Sequence, residues 1–120
     1  MIELELPYPP SINHYYRHVG PKVLISREGR QYRERVMAAV REVKKVSGKL
    51  ALKLEAYPPD SRSRDLDNLF KPVMDALQHG GVYDNDNQIK RIVADMREPM
   101  PPQGLLIIKI KELSSVGESK

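Results

Sequence analysis

The stretch LALKLEAYPPDSRSRDLDNLFKPVMDAL, residues 50–77, decides the fold. Its first part alternates apolar residues with other side chains at a period of two, which predicts a β-strand over residues 50–57. Pro58 and Pro59 close this strand, because proline cannot donate a hydrogen bond to a neighbouring strand. Apolar residues then recur at helical spacing and predict a helix over residues 69–78. A polar connection with charges of both signs joins the strand to the helix.

Pro72 fixes the start of this helix. Proline is tolerated in the first helical turn but costs about 3 kcal/mol or more deeper inside, where it removes a hydrogen bond and clashes with the preceding turn. The helix is therefore predicted to begin at residues 68–69, with Asp67 or Asn68 as its N-cap.

Asp65 and Asp67 lie just before the helix. Because the helix starts so late, residues 64–67 are expected to be extended or turning, and residues i and i+2 of an extended segment point the same way. In a helix the same pair would diverge by about 200°. We therefore expect the two carboxylates to face together, with Leu66 turned into the core.

Two carboxylates held close repel each other unless a cation joins them. A hard divalent ion, Mg²⁺ or Mn²⁺, prefers oxygen ligands and keeps waters that a phosphate can replace. Such a site can activate a water and stabilise the charge on a cleaved phosphodiester, and Lys71 would neutralise part of that charge. The alternative is structural: Asp67 caps the helix, Asp65 pairs with Arg64, and the rest is a solvated loop.

A second acidic cluster, YDNDNQ at residues 83–88, follows the helix. It resembles the opening of an EF-hand loop, but the sixth and twelfth positions counted from Asp84 are Ile89 and Asp95 instead of Gly and Glu. The residue types alone also fit a turn rich in Asp and Asn. The functional alternative is that Asp86 supplies a third carboxylate, which the spacing alone does not establish.

The remaining patterns complete an α+β domain. Further strands are predicted at residues 2–6, 23–25, 88–96 and 105–113. A first helix over residues 27–46 is predicted after Ser26, a suitable N-cap. This order of elements predicts a two-layer sandwich, one mixed β-sheet with two helices packed on one face. We expect a single domain over residues 1–113 and a flexible C-terminal tail over residues 114–120.

Composition narrows the class of protein. The 120 residues carry a formal net charge of +4 and no cysteine, so disulfides and thiolate metal sites are excluded. The first residues lack the features of a signal peptide, and no apolar run approaches about 20 residues, so we expect no membrane span. The sequence contains no glycine-rich phosphate loop, so we expect no nucleotide cofactor. We expect a cytoplasmic protein associated with nucleic acid.

Four segments of the chain resemble the RusA family of Holliday junction resolvases. They are PYPPSINHYYRH at residues 7–18, SREGRQYRERV at residues 26–36, RDLDNLFKPVMDAL at residues 64–77 and DNDNQI at residues 84–89. The third is the most specific, since R-D-x-D-N-L-x-K is the catalytic signature of that family. The resemblance runs over nearly the full length of the chain.

The resemblance implies a function and a set of site residues. Members of the family are small homodimeric endonucleases that use Mg²⁺ or Mn²⁺ and nick two strands of a four-way DNA junction symmetrically. The family's catalytic metal ligands correspond here to Asp65, Asp67 and Asp86, with Lys71 assisting catalysis. At the third site Asn85 stands where the family often has an acid, which leaves Asp84 as an alternative to Asp86.

Basic and aromatic residues around these acids are expected to bind DNA. The resemblance implies this role for Arg64 and its neighbours, of which we single out Arg62 and Lys71. Tyr16 and Arg17, in a polar aromatic loop predicted over residues 11–21, suit base stacking and phosphate pairing. The alternative for the tyrosine is packing on the sheet or on a dimer partner. At the level of the whole chain, the alternative is a non-catalytic, structure-selective nucleic-acid-binding module in which the acids are structural.

Overall fold

The computed structural model describes residues 1–113, and the predicted tail over residues 114–120 lies outside them. In chain order its elements are β1 Ile2–Leu6, α1 Ile12–Tyr15, β2 Tyr16–Val19, β3 Lys22–Ile25, α2 Arg27–Ala39, β4 Leu50–Tyr57, a first 3₁₀ turn Leu66–Leu69, α3 Phe70–His79, a second 3₁₀ turn Asp86–Gln88, β5 Ile89–Met96 and β6 Leu105–Glu112. Within the described part of the chain, no helix is long and apolar enough to cross a membrane.

The main sheet has four strands in the order β1-β6-β4-β5. Strands β4 and β5 are parallel, whereas β6 is antiparallel to both β1 and β4. Residues 50–77 are therefore central to the fold, because β4 is an interior strand and α3 makes the crossover to its parallel neighbour β5. The predicted mixed sheet is confirmed.

Alternation along the strands places one face of the sheet in the core. The fully buried strand residues are Leu6, Leu50, Leu52, Leu54, Ala56, Leu106, Ile108 and Ile110. Helices α2 and α3 cover this face with Tyr32, Val36, Val73, Ala76 and Leu77. Burying each large apolar side chain contributes roughly 1.5–3 kcal/mol. Among residues 1–113, no helix covers the other face of the sheet, so the predicted two-layer α+β sandwich is confirmed.

The first long helix is shorter than the predicted residues 27–46, because α2 ends at Ala39. The apolar residues that extended the helical pattern, Val43 and Val46, do pack against the core. They do so from an irregular segment whose backbone forms a hydrogen bond outside the helix. The N–H of Val46 donates to the carbonyl oxygen of Val82 at 2.8 Å. A tertiary contact with the segment that follows α3 therefore replaces the last helical turns.

The polar aromatic loop contains more regular structure than we predicted. It holds the short helix α1 and the strand β2, which pairs with β3 in a separate two-stranded hairpin. Tyr16 lies opposite Ile25 in this hairpin, and Val19 lies opposite Lys22. A short strand predicted at residues 23–25 is confirmed as part of β3.

Candidate active site

Asp60 organises the basic segment that follows β4. Arg62 Nε donates to Asp60 Oδ1 at 3.2 Å, and its backbone N–H donates to the same oxygen at 3.0 Å. Arg64 Nη1 donates to Asp60 Oδ1 at 2.8 Å and to the backbone carbonyl of Asp60 at 3.1 Å. These bonds, led by the one from Arg64, hold the pKa of Asp60 below its ordinary value. Arg64 also lies over the ring of Tyr8, 5.9 Å from its centroid.

Asp65 and Asp67 are left without protein partners by this arrangement. Both side chains are exposed, and neither carboxylate has a hydrogen bond or an ion pair with any residue in the range 1–113. The structural alternative required Asp65 to pair with Arg64 and Asp67 to cap the helix. Arg64 pairs with Asp60 instead, and no side chain caps α3, whose N-cap position is Leu69.

The local backbone differs from the predicted extended segment. Asp65 is extended, with φ −88° and ψ 129°, but Leu66 and Asp67 already belong to the first 3₁₀ turn. Asp65 and Asp67 therefore do not share one extended segment, in which side chains two residues apart point the same way. Side chains in a 3₁₀ helix repeat every three residues instead. The predicted cap at Asp67 or Asn68 is wrong. Leu66 does pack against the core, as the sequence predicted.

Asp86 lies beside helix α3, where Lys71 Nζ approaches Asp86 Oδ2 to 3.5 Å. The backbone N–H of Asp86 donates to Gln78 Oε1 at 2.9 Å, so two residues of the helix hold this aspartate. Asp84 points elsewhere and pairs with Lys45 at 2.7 Å. Of the two candidates for the third acidic site, Asp86 is the one that lies with Lys71.

Asn85, the departure from the family pattern, has a structural role. Its side-chain oxygen accepts from the backbone N–H of Asn87 at 2.9 Å and caps the second 3₁₀ turn. Gln88 Oε1 accepts from the backbone N–H of Asn85 at 3.1 Å, which completes a capping box. Gln88 Nε2 donates to the carbonyl oxygen of Gly48 at 2.9 Å. The turn that carries Asp86 is therefore fixed at both ends.

A half-buried polar network that the sequence analysis missed joins the three helices. Arg33 contacts Asp75 Oδ2 through Nε at 2.9 Å and through Nη2 at 2.8 Å, and the buried Tyr15 hydroxyl donates to the same oxygen. Burial and the bond to Asp75 raise the pKa of Tyr15. The Tyr15 ring packs edge-to-face on Tyr16 at 4.9 Å between centroids. Burial, then the Asp75 carboxylate, raises the pKa of Tyr16, with a smaller effect from Asp86.

Replacing Asp75 with asparagine is expected to destabilise the fold by about 1–2 kcal/mol, because it leaves the half-buried Arg33 guanidinium without its anion. Urea unfolding measures the change. Asp84→Asn is the matched control, since its ion pair with Lys45 is exposed and should cost less than about 0.5 kcal/mol. Equal losses in the two variants would show that the network contributes no more than a surface pair.

The donor chemistry suits a hard metal ion, although the three predicted ligands are not gathered into one cage. Within residues 1–113, no group of three or more His, Cys, Asp or Glu side chains lies close enough to hold a metal. Mg²⁺ usually binds through one or two carboxylates, with waters and substrate phosphates completing its shell. The unpartnered carboxylates of Asp65 and Asp67 fit that description. The assignment of Asp65, Asp67 and Asp86 as metal ligands stays a prediction.

Comparison with known proteins identifies the family. The family model described as endodeoxyribonuclease RusA matches residues 7–111. The chain belongs to the RusA family. The resemblance seen in the four sequence segments is thereby confirmed.

Three relatives illustrate the similarity, and each is named a crossover junction endodeoxyribonuclease RusA. The protein from Enterobacteria phage HK97 is 43% identical over 114 residues, which cover 92% of this chain and 94% of the relative. The proteins from Shigella sonnei and Escherichia coli K12 are 36% and 35% identical over 117 residues, covering 93% of this chain and 95% of each relative. The similarity therefore extends over more than nine tenths of this chain and of each relative.

The residues predicted to bind DNA in this RusA-family chain differ in exposure. Arg17 on β2 and Lys71 on α3 are exposed, and the Arg62 side chain is 78% exposed. The Arg64 side chain is only 20% exposed and is held by Asp60, so it orders the segment before the first 3₁₀ turn. Tyr16 is partly buried and packs edge-to-face on Tyr15 of α1, a neighbour that the sequence analysis did not name. A DNA contact by each of the five stays a prediction.

Proposed function

We propose that this chain is a metal-dependent endonuclease that resolves four-way DNA junctions by paired, symmetric phosphodiester nicks. The observation that carries the proposal is the pair of exposed, unpartnered carboxylates in a basic segment of a RusA-family chain. Asp60, and not Asp65 or Asp67, takes up the nearby arginines. Two carboxylates that have no protein partner, in a segment rich in basic residues, are suited to bind a divalent ion next to the phosphates of DNA.

The proposed reaction is hydrolysis of a phosphodiester. Asp65, Asp67 and Asp86 would hold Mg²⁺ or Mn²⁺, which when bound supplies an activated water and neutralises charge on the scissile phosphate. Lys71 places an ammonium group 3.5 Å from Asp86 Oδ2, where it would also attract a phosphate oxygen and stabilise developing charge. The capping box holds the turn that carries Asp86, so this geometry exists before the substrate binds.

Affinity for the junction would come from phosphate contacts. Arg17, Arg62 and Lys71 are exposed, and the net charge of +4 favours a polyanion. Such binding weakens as salt rises, because cations released from DNA drive it. A homodimer with two-fold symmetry would present two sites to a junction with the same symmetry, which suits paired cuts.

Cleavage of a labelled synthetic four-way junction tests the proposal. We expect two symmetric nicks with Mg²⁺, none with EDTA, and recovery when Mg²⁺ is restored in excess. A linear duplex of the same sequence is the control and should stay intact. Tight junction binding without nicks in Mg²⁺ or Mn²⁺ would instead support the non-catalytic binding module, and equal cutting of the linear duplex would refute selectivity for junctions.

A further inference from the structure

The face of the sheet that the helices leave open carries four cations at one end. Lys53 of β4 and Lys109 of β6 lie directly opposite each other, and Ala51 has Lys111 on one side and Arg91 on the other. All four line one shallow hollow on this face. From strand spacing and rise, the group is roughly 10 Å across. We call Lys53, Arg91, Lys109 and Lys111 the basic sheet patch.

No acid neutralises the basic sheet patch within residues 1–113, where none of its four members forms an ion pair. Glu3 lies opposite Lys109 in the register but does not pair with it. The next row of the face holds Glu55 and Asp95, and both contact Arg97, at 2.9 Å and 4.0 Å. Like charges directly opposite in a sheet destabilise it. A solvated face would ordinarily intersperse the two signs, so this segregation requires another explanation.

The basic sheet patch lies at the same end of the sheet as Asp86. The second 3₁₀ turn leads directly into β5, and Arg91 follows Asp86 by five residues, a reach of at most about 18 Å. Gln88 ties this turn to Gly48, just before β4 begins. Because β5 is the edge strand, a nucleic acid that leaves the candidate active site can pass this edge onto the open face.

We propose that the basic sheet patch binds the phosphate backbone of one duplex arm of the DNA substrate, away from the strand that is cut. This inference rests on the proposed function, since a four-way junction has arms that extend well beyond the cleaved phosphates. Complementary charge identifies the occupant: the four cations lack protein anions, and a duplex carries one negative charge per about 1.7 Å of its axis. Binding would also relieve the repulsion between Lys53 and Lys109.

The test measures junction affinity as a function of salt, by fluorescence anisotropy in EDTA so that no cutting occurs. Each lost phosphate contact lowers the slope of log K against log salt by about 0.9. For the double variant Lys53→Gln, Lys109→Gln, we therefore expect the magnitude of this slope to fall by nearly 2. The variant should also bind the junction at least about tenfold more weakly at roughly 0.1 M salt. Removing opposed like charges should not unfold the chain.

Two matched controls separate the patch from general charge. The variant Lys53→Arg, Lys109→Arg keeps both charges and should keep the slope. The variant Arg41→Gln, Lys44→Gln removes the same charge from the exposed segment after α2 and should change the slope by less than half as much. Equal losses in the Lys53, Lys109 and the Arg41, Lys44 variants would overturn the proposal, and so would an unchanged slope in the former.

The remaining outcomes distinguish this inference from the proposed function. Loss of a dimer in the Lys53→Gln, Lys109→Gln variant, measured by light scattering, would assign the face to a second copy of the chain and overturn the DNA contact. At saturating junction and with Mg²⁺, the variant should cut at the wild-type rate, because the patch lies outside the cleavage site. If the wild-type chain cuts no junction but the slope still falls, the nuclease proposal fails and the patch remains supported.

Discussion

Replacing Asp67 with asparagine is expected to slow junction cleavage by about 10²–10³-fold, because in the proposed function Asp67 is a metal ligand and such a ligand would contribute several kcal/mol of charge stabilisation in the transition state. Binding should be kept or become about two- to threefold tighter, since one negative charge near the DNA phosphates is removed. Single-turnover cleavage in Mg²⁺ and anisotropy in EDTA measure the two effects separately. Loss of cleavage while binding is kept or tightened is the result expected of a catalytic carboxylate.

The free energy of unfolding of the Asp67→Asn variant shows whether a loss of cleavage is caused by a loss of folding. Asp67 is exposed and makes no capping bond in the described part of the chain, so asparagine should change the free energy of unfolding by less than about 0.5 kcal/mol. Asp95→Asn repeats the substitution on the open face of the sheet and should cut normally. An Asp67→Asn variant that cuts at the wild-type rate, or that loses cutting only by unfolding, would remove Asp67 from the site.

The fold was largely predictable because its main signals are local. The apolar pattern marked the observed strands other than β2, with ends within about two residues of those observed. Pro72 placed the start of α3 to within two residues, at 68–69 where the helix begins at Phe70, since proline is compatible only with the first turn of a helix. The end of α2 was not predictable, because Val43 and Val46 keep helical spacing while packing from an irregular segment.

The candidate site was predictable in its residue types but not in its partners. Asp60 lies only two and four residues from Arg62 and Arg64, yet sequence alone gave it no preference over Asp65. The Asp75–Arg33 pair links residues 42 positions apart and left no periodic signal. Long-range pairing depends on how α2 crosses α3, which the pattern of a single sequence does not specify.

Gly29 shows most directly how tertiary contact overrides local preference. It lies in the first turn of α2, where alanine would normally favour the helix by up to about 1 kcal/mol. A Cβ there would overlap the carbonyl oxygen of Tyr15 and lie 2.8 Å from Ile25 Cγ1. That carbonyl also accepts hydrogen bonds from the backbone N–H and the hydroxyl of Ser26, so two bonds hold it in place.

We therefore expect Gly29→Ala to destabilise the chain by about 3 kcal/mol, the upper range for overpacking, because backbone cannot move aside as a flexible side chain can. Displacing Tyr15 also disturbs its bond to Asp75 and shifts Tyr16 and Arg17, so junction binding should weaken more than cleavage at saturating DNA. Urea unfolding measures the first effect and anisotropy the second. Gln31→Ala, an exposed change in the same helix, should stay within about 0.5 kcal/mol. A Gly29→Ala variant more stable than wild type would show that helix propensity dominates and that the close approach of α1 to α2 is wrong.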